Sequence, residues 1–192
     1  MRKYQDDSLA LHTDLYQINM AKTYWEDGVH ERKAVFDLYF RKMPFGSGYA
    51  IFAGLERIVE FLKNFRFSDS DIAYLREVEG YDEDFLQYLS NLTFTGNVRS
   101  MREGEVVFEN EPIVTLEAPL IQAQLVETPL LNIVNYQTLI ATKAARIKHA
   151  VGEDLVMEFG TRRAQEMDAA IWGTRAAFIG GCGATSNVRA GK

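Results

Sequence analysis

Hydrophobic positions along the chain change period several times, and each change marks an element. Leu15, Ile18, Ala21, Tyr24 and Trp25 recur at helical spacing behind Thr13 and Asp14, either of which can cap a helix start, and the run ends at Gly28. Ala34, Phe36, Leu38 and Phe40 then alternate with Val35, Asp37, Tyr39 and Arg41, the two-residue period of a strand. After a turn-rich loop over Met43–Gly48, helical spacing returns from Ala50 to Phe65 through Phe52, Leu55, Ile58, Val59 and Leu62. Ser68 with Asp71 predicts a capping box opening a short helix to about Glu79, and Asp82–Leu92 predicts another.

The second half reads differently. Phe94–Met101, Glu105–Phe108 and Ile113–Glu117 predict short strands, the last two joined by a turn over Glu109–Pro112. Pro119 predicts one helix start. Thr128–Pro129 predicts the N-cap and first position of a second, longer helix, which carries Leu130, Ile133, Val134, Leu139, Ile140, Ala144 and Ile147 and stops at Gly152. A strand over Leu155–Phe159, a helix from Ala164 to about Ala177 and a glycine-rich junction over Gly180–Ser186 follow. The class is α/β: an α+β N-terminal domain over 1–120, connecting helices over 121–152, and over 153–192 the start of a β-α-β alternation too short to close a parallel sheet. Ser186–Lys192 reads as the opening of a helix with nothing after it, so the expectation is a truncated second domain and a fragment of a longer protein.

Composition narrows the class of partner. The 192 residues are 47% hydrophobic and 25% charged, which excludes disorder, collagen and coiled coil. A chain of this length buries ~70% of its unfolded surface and needs no disulfides to hold a core. A net charge of −6 offers no global field for nucleic acid or anionic lipid, so any phosphate site must be local. The longest uncharged run, Thr128–Thr142, has 15 residues and includes Asn132, Asn135 and Gln137, too short and too polar to span a bilayer. Met1–Asp7 turns acidic without an apolar segment, so no signal peptide is expected. Cys182 alone rules out an internal disulfide and fits a reducing, cytoplasmic setting.

Candidate chemistry lies mainly at two strand-to-helix junctions. Glu158–Arg163 places two arginines where functional groups collect in parallel α/β folds. Arg162 there can grip a carboxylate or phosphate with two parallel hydrogen bonds, or it can be a solvated helix-start residue; spacing alone leaves both open. Gly180–Asn187 carries Gly180, Gly181 and Gly183 with Thr185 and Ser186. Its bare N–H groups could approach a phosphate, or the glycines could serve a tight turn with close packing. Gly181-x-Gly183 lacks the third glycine of a dinucleotide fingerprint. His12, His30 and His149 have no mutual metal-ligand spacing and there is no second cysteine, so no protein-built metal site is expected. Cys182 reads as a small buried residue and His149 as a surface one. Tyr16, close to Asp14 in the first turns of the first helix, reads on spacing alone as a half-buried tyrosine.

Four stretches together resemble the N-terminal part of the bacterial-type nicotinate phosphoribosyltransferases: Thr13–Gln17, Phe45–Tyr49 with Phe52–Leu55, Glu158–Gln165, and Ala184–Val188, in family order across the chain. The resemblance implies an α/β N-terminal unit followed by an irregular β/α barrel beginning at the strand that ends in Phe159. It implies that nicotinate and phosphoribosyl pyrophosphate become nicotinate mononucleotide and pyrophosphate, coupled to ATP hydrolysis, with Mg²⁺ on the leaving group. It also implies a homodimer with shared active sites. Tyr16 would stack on the pyridine ring from across the dimer interface, with Phe159 on the opposite face. Arg162 would hold a phosphate or the substrate carboxylate, and Asp14 would orient the helix start. Gly183 stands where relatives often carry an aspartate that accepts a hydrogen bond from nicotinamide, which favours nicotinate. The family's phosphorylated histidine has no counterpart among the 192 residues, so the chain by itself is expected to be inactive. Two alternatives are a non-catalytic nucleotide-binding or dimerisation module built on Gly180–Asn187, and a sibling enzyme acting on quinolinate or nicotinamide.

Overall fold

The computed structural model describes residues 8–192; Met1–Asp7, on which the reading about a signal peptide rests, lie outside the described residues. The chain is mixed α/β, and it forms two compact units, each drawn from three segments. One takes the chain up to Asp37 with Glu56–Arg99 and Thr115–Leu131; the other takes Leu38–Leu55, Ser100–Val114 and Asn132–Lys192.

In the first unit, helix α1 (Leu15–Glu26) precedes strand β1 (Lys33–Leu38). Asp14 sits at the N-cap with extended backbone, but its side chain makes no capping bond; the Asp14 carbonyl accepts from the Gln17 N–H at 2.9 Å instead. After strand β2 (Ala50–Ile51), which belongs to the second unit, come α2 (Leu55–Asn64), α3 (Asp69–Glu77) and α4 (Glu83–Ser90). Both halves of the predicted capping box form: the Asp71 N–H donates to Ser68 Oγ at 3.2 Å and the Ser68 N–H donates to Asp71 Oδ2 at 2.8 Å. Asp82 caps α4 through the Phe85 N–H at 3.0 Å. Strand β3 (Asn97–Ser100), strand β4 (Val106–Val107, in the second unit) and strand β5 (Val114–Pro119) follow, and one sheet runs in the order β1-β5-β3. Its core is aromatic: Phe61, Phe65 and Phe67 stack edge to face, and Trp25 and Tyr81 both meet Phe85.

Two expectations about helices fail. The predicted helix from Ala50 begins only at Leu55, because Ala50 and Ile51 pair antiparallel with Val107 and Val106. Gly54 then turns the chain at φ +119, a conformation open to glycine, where a Cβ would press on Ile133 at 3.2 Å. The two helices predicted from Pro119 and Thr128 are one, α5 (Leu120–Val151), with Pro129 inside it. A mid-helix proline costs ~3 kcal/mol. Leu125, Val126, Leu130 and Val134 around it are buried, each contributing ~1.5–3 kcal/mol, so burial outweighs the lost bond. The helix ends at Gly152, as predicted, with φ +63.

In the second unit α5 supplies hydroxyls as well as apolar groups. Thr142 Oγ1 accepts from the Ile51 N–H at 2.9 Å, and Thr138 Oγ1 accepts from the Ala53 N–H at 3.2 Å. Strand β6 (Met157–Glu158), helix α6 (Glu166–Ile179), strand β7 (Ala184–Thr185) and the short α7 (Val188–Gly191) complete the chain. β6 is shorter than the predicted Leu155–Phe159 strand because its ladder with β7 is two residues long. α6 starts at Glu166 rather than Ala164, since Thr161–Arg163 form a 3₁₀ turn and Ala164 is extended. α5 and α6 meet through small side chains: Ala141 and Ala176 pack with Ile51 and Ala53, and Ala144 and Ala177 pack with Cys182.

Glu103 ties this unit together. Its carboxylate accepts from the Gly54 and Leu55 N–H groups at 2.6 and 3.0 Å and from both terminal nitrogens of Arg175 at 2.9 and 2.7 Å. Burial works against the ionised form, but Arg175 and the two N–H groups outweigh it and hold the carboxyl below its ordinary 4.5. A carboxyl depressed by folding adds stability above its unfolded value and loses it as pH falls through the folded one. Glu103→Gln is therefore expected to lower Tm at pH 7, with the gap to wild type narrowing below pH ~4.5 in thermal melts. A gap independent of pH would show that the charge contributes nothing.

Candidate functional site

β6 and β7 run parallel in register Met157↔Ala184 and Glu158↔Thr185, with α6 between them in sequence. Both strands therefore end on the same edge, where parallel α/β folds present functional groups. Glu158 braces that edge. Its carboxylate accepts from Thr185 Oγ1 at 2.7 Å, from Thr174 Oγ1 of α6 at 2.9 Å and from the Gly160 N–H. Its main-chain carbonyl accepts from the Ser186 N–H at 3.0 Å. Burial raises the carboxyl, yet the hydrogen bonds from Thr185, Gly160 and Thr174 outweigh it and hold it below the usual carboxylate range. Gly160 is required for this: a Cβ there would lie 2.8 Å from Glu158 Oε1.

On the braced edge, Phe159 is 61% exposed. Arg162 is exposed in the 3₁₀ turn that follows, which the Arg163 N–H closes onto the Gly160 carbonyl at 2.7 Å. Among the described residues Arg162 has no hydrogen-bond or ion-pair partner, so its guanidinium fork is open to a ligand. Of the two readings left open for Arg162, a place at the helix start is not met: it lies on a separate turn before α6.

The glycine junction is a packing device. A Cβ on Gly180 would meet the Ala141 carbonyl oxygen at 2.3 Å and Ala144 Cβ at 2.7 Å, so only glycine lets α6 end against α5. Gly181 has φ +101. The N–H groups of Gly180, Gly181, Cys182, Gly183 and Ser186 all donate to main-chain carbonyls, and the Asn187 N–H donates to Thr185 Oγ1. The expected approach of bare N–H groups to a phosphate is therefore not met at those six positions. Gly183 is exposed, and a Cβ there would contact Leu155 Cδ1 at 2.7 Å, the tip of an exposed side chain free to turn aside. Cys182 is buried; burial pushes its thiol up and the Glu158 charge adds to the shift.

Tyr16 and Asp14 belong to the first unit, and Phe159, Arg162 and Gly183 to the second. Tyr16 lies in the first turn of α1 with 54% of its surface exposed, and its Oη accepts from Gln17 Nε2 at 3.1 Å. Asp14 is exposed beside it. Sequence reasoning missed Glu158, Thr174 and Thr185 as a group; the available signal was a lone acid inside the apolar run Leu155–Phe159. Among the described residues no three His, Cys, Asp or Glu side chains converge where they could hold a metal ion.

A family model described as the nicotinate phosphoribosyltransferase (NAPRTase) N-terminal domain matches residues 11–135. Nicotinate phosphoribosyltransferase of Bacillus subtilis (strain 168) is 68% identical over 189 residues, which cover 98% of this chain and 39% of the relative. Nicotinate phosphoribosyltransferase 1 of Arabidopsis thaliana is 47% identical over 182 residues, covering 93% of this chain and 33% of the relative. The crystal structure of human nicotinic acid phosphoribosyltransferase superimposes with a TM-score of 0.87 at 40% identity, over 93% of this chain and 37% of that one. The chain thus spans two fifths or less of the length of these relatives.

Proposed function

This chain belongs to the nicotinate phosphoribosyltransferase family, and we propose that it forms the N-terminal part of an enzyme that joins nicotinate to phosphoribosyl pyrophosphate. One observation carries the reading: an exposed aromatic ring, Phe159, and an unpaired guanidinium, Arg162, stand on one edge braced by Glu158. That pair suits a flat ring bearing a carboxylate. In the reaction the pyridine nitrogen forms a bond to the anomeric carbon while the bond to pyrophosphate breaks, and the leaving pyrophosphate keeps the electron pair. The residues' work is to hold the ring rigidly for that attack. Phe159 covers one face, Tyr16 supplies the other from the partner subunit of a homodimer, and Arg162 grips the carboxylate or a phosphate. Asp14 orients the helix start beside Tyr16.

Gly183 leaves no acceptor for an amide and no negative charge to repel a carboxylate, which favours nicotinate over nicotinamide. Quinolinate, with two carboxylates, would call for a denser basic cluster than Thr161–Arg163. The bonded N–H groups of Gly180–Gly183 and Ser186 speak against a nucleotide-binding module at that junction. ATP, and Mg²⁺ on the leaving pyrophosphate, are expectations of the family. No helix among the described residues is long and apolar enough to cross a membrane, in keeping with a cytoplasmic enzyme of pyridine nucleotide salvage.

The test is made in the enzyme of full family length. Wild type should form nicotinate mononucleotide from nicotinate and phosphoribosyl pyrophosphate, with nicotinamide a poor substitute. Tyr16→Ala should raise the KM for nicotinate about tenfold at nearly constant kcat, since ring stacking is worth ~0.5–1.5 kcal/mol beyond the buried area. An unchanged KM would remove Tyr16 from the site.

A further inference from the structure

Directly behind Tyr16 lies a polar network that packing alone does not require. Gln17 is 1% exposed. Its Nε2 donates to Glu127 Oε2 at 2.5 Å and lies 3.1 Å from Tyr16 Oη and 3.3 Å from Thr128 Oγ1. Its Oε1 accepts from Gln124 Nε2, and Gln124 Oε1 accepts from Tyr24 Oη at 3.3 Å. Thr128 Oγ1 donates to Glu127 Oε2 at 3.1 Å. All of these groups sit on α1 and the first turns of α5, within the first unit.

Chemistry decides which way the buried amide points. Ionised Glu127 only accepts, so the amide nitrogen of Gln17 must face it and the amide oxygen must face Gln124. The amide cannot turn over without setting two acceptors against each other. With one Nε2 proton on Glu127, the other lies between Tyr16 Oη at 3.1 Å and Thr128 Oγ1 at 3.3 Å; the phenol oxygen is the nearer acceptor, and in accepting it leaves its own proton pointing away from the network. A buried apolar residue would fill the same space without the cost of burying an amide.

We propose that Gln17, locked by Glu127, is a positioning residue that holds the Tyr16 ring in one plane and turns its hydroxyl proton outward as a donor to the bound substrate. The proposal rests on the reading of Tyr16 as a substrate-contacting ring.

A swap separates positioning from mere support. Gln17→Glu combined with Glu127→Gln keeps the bonds among residues 17, 124 and 127, because the new carboxylate accepts from both amides. It offers no proton to Tyr16, whose hydroxyl must reverse and donate inward. In the enzyme of full family length, the double variant is expected to melt close to wild type. Its KM for nicotinate should rise about fivefold at similar kcat, the loss of one neutral hydrogen bond. Tyr16→Phe removes the hydroxyl while leaving the bonds among residues 17, 124 and 127 in place, and should match that KM. Gln17→Glu alone sets two carboxylates face to face and should lower Tm, with Glu127→Gln restoring it.

A swap with wild-type KM, or Tyr16→Phe with wild-type KM, overturns the proposal while leaving the ring-stacking reading intact if Tyr16→Ala still raises KM. An unchanged KM in Tyr16→Ala overturns both. Should the swap fail to fold, Tyr16→Phe decides.

Discussion

Arg162→Lys is expected to reduce kcat/KM for nicotinate by about 30–100-fold in the enzyme of full family length, because a lysine retains the charge and loses the two-pronged grip. The structure isolates this effect. Arg162 is exposed on a 3₁₀ turn, and no described residue pairs with it, so the folded chain gains nothing from its guanidinium. The Tm of the variant should therefore match wild type, and the whole loss should appear in steady-state kinetics. Near-normal kcat/KM would return Arg162 to a solvated turn residue and remove the anion clamp from the proposed site.

Glu158→Ala should act in the opposite manner, through the fold first. The substitution strips the acceptor from Thr185 Oγ1, Thr174 Oγ1 and the Gly160 N–H at once. Thr174 can turn its single hydroxyl proton wholly to the Ala170 carbonyl at 2.8 Å, but Thr185 and Gly160 lose the partners that fix the ends of β7 and β6. With hydrogen bonds to a charged group worth ~1.5–3 kcal/mol each and some recovered from water, a loss of about 3 kcal/mol is expected at pH 7. Because folding holds the Glu158 carboxyl below its ordinary 4.5, wild type keeps this contribution above that pH and loses it as pH falls through the depressed value. Calorimetry at pH 7 and near pH 4 should show the variant's deficit shrinking on the acid side. Equal melting of the two proteins at pH 7 would show that the strand ends are held by other means. kcat/KM should fall as well, since Phe159 and Arg162 leave the same strand end.

What could be read along the chain was what the chain decides locally. The Ser68–Asp71 box and the Asp82 cap involve groups three residues apart, and both form as expected. Arg162 stood out as a candidate because a strand running into a turn is where functional groups collect, with its role left open, while Phe159 entered only through the family resemblance. Pro129 misled because its cost is local while the burial of Leu125, Val126, Leu130 and Val134 depends on distant partners. β2 went unseen because Ala50 and Ile51 pair with Val107 and Val106, far along the chain, and two residues leave no period to detect. Glu158 likewise draws its meaning from Thr174 and Thr185, 16 and 27 positions away. The exposed candidates were named from the sequence; the groups that hold them still were not.

The interleaving of the two units bears on how the chain acquires its shape. The backbone passes from one unit to the other after Asp37, Leu55, Arg99, Val114 and Leu131. Neither unit can assemble while only the early part of the chain has left the ribosome, because each awaits segments made later. Folding of this region is thus closer to one late event with long loops to close than to a sequence of independent steps, the regime in which chain topology slows folding. No single cut by a protease would free one unit from every segment of the other: a cut after Leu131 keeps all three segments of the first unit but carries Leu38–Leu55 and Ser100–Val114 with them.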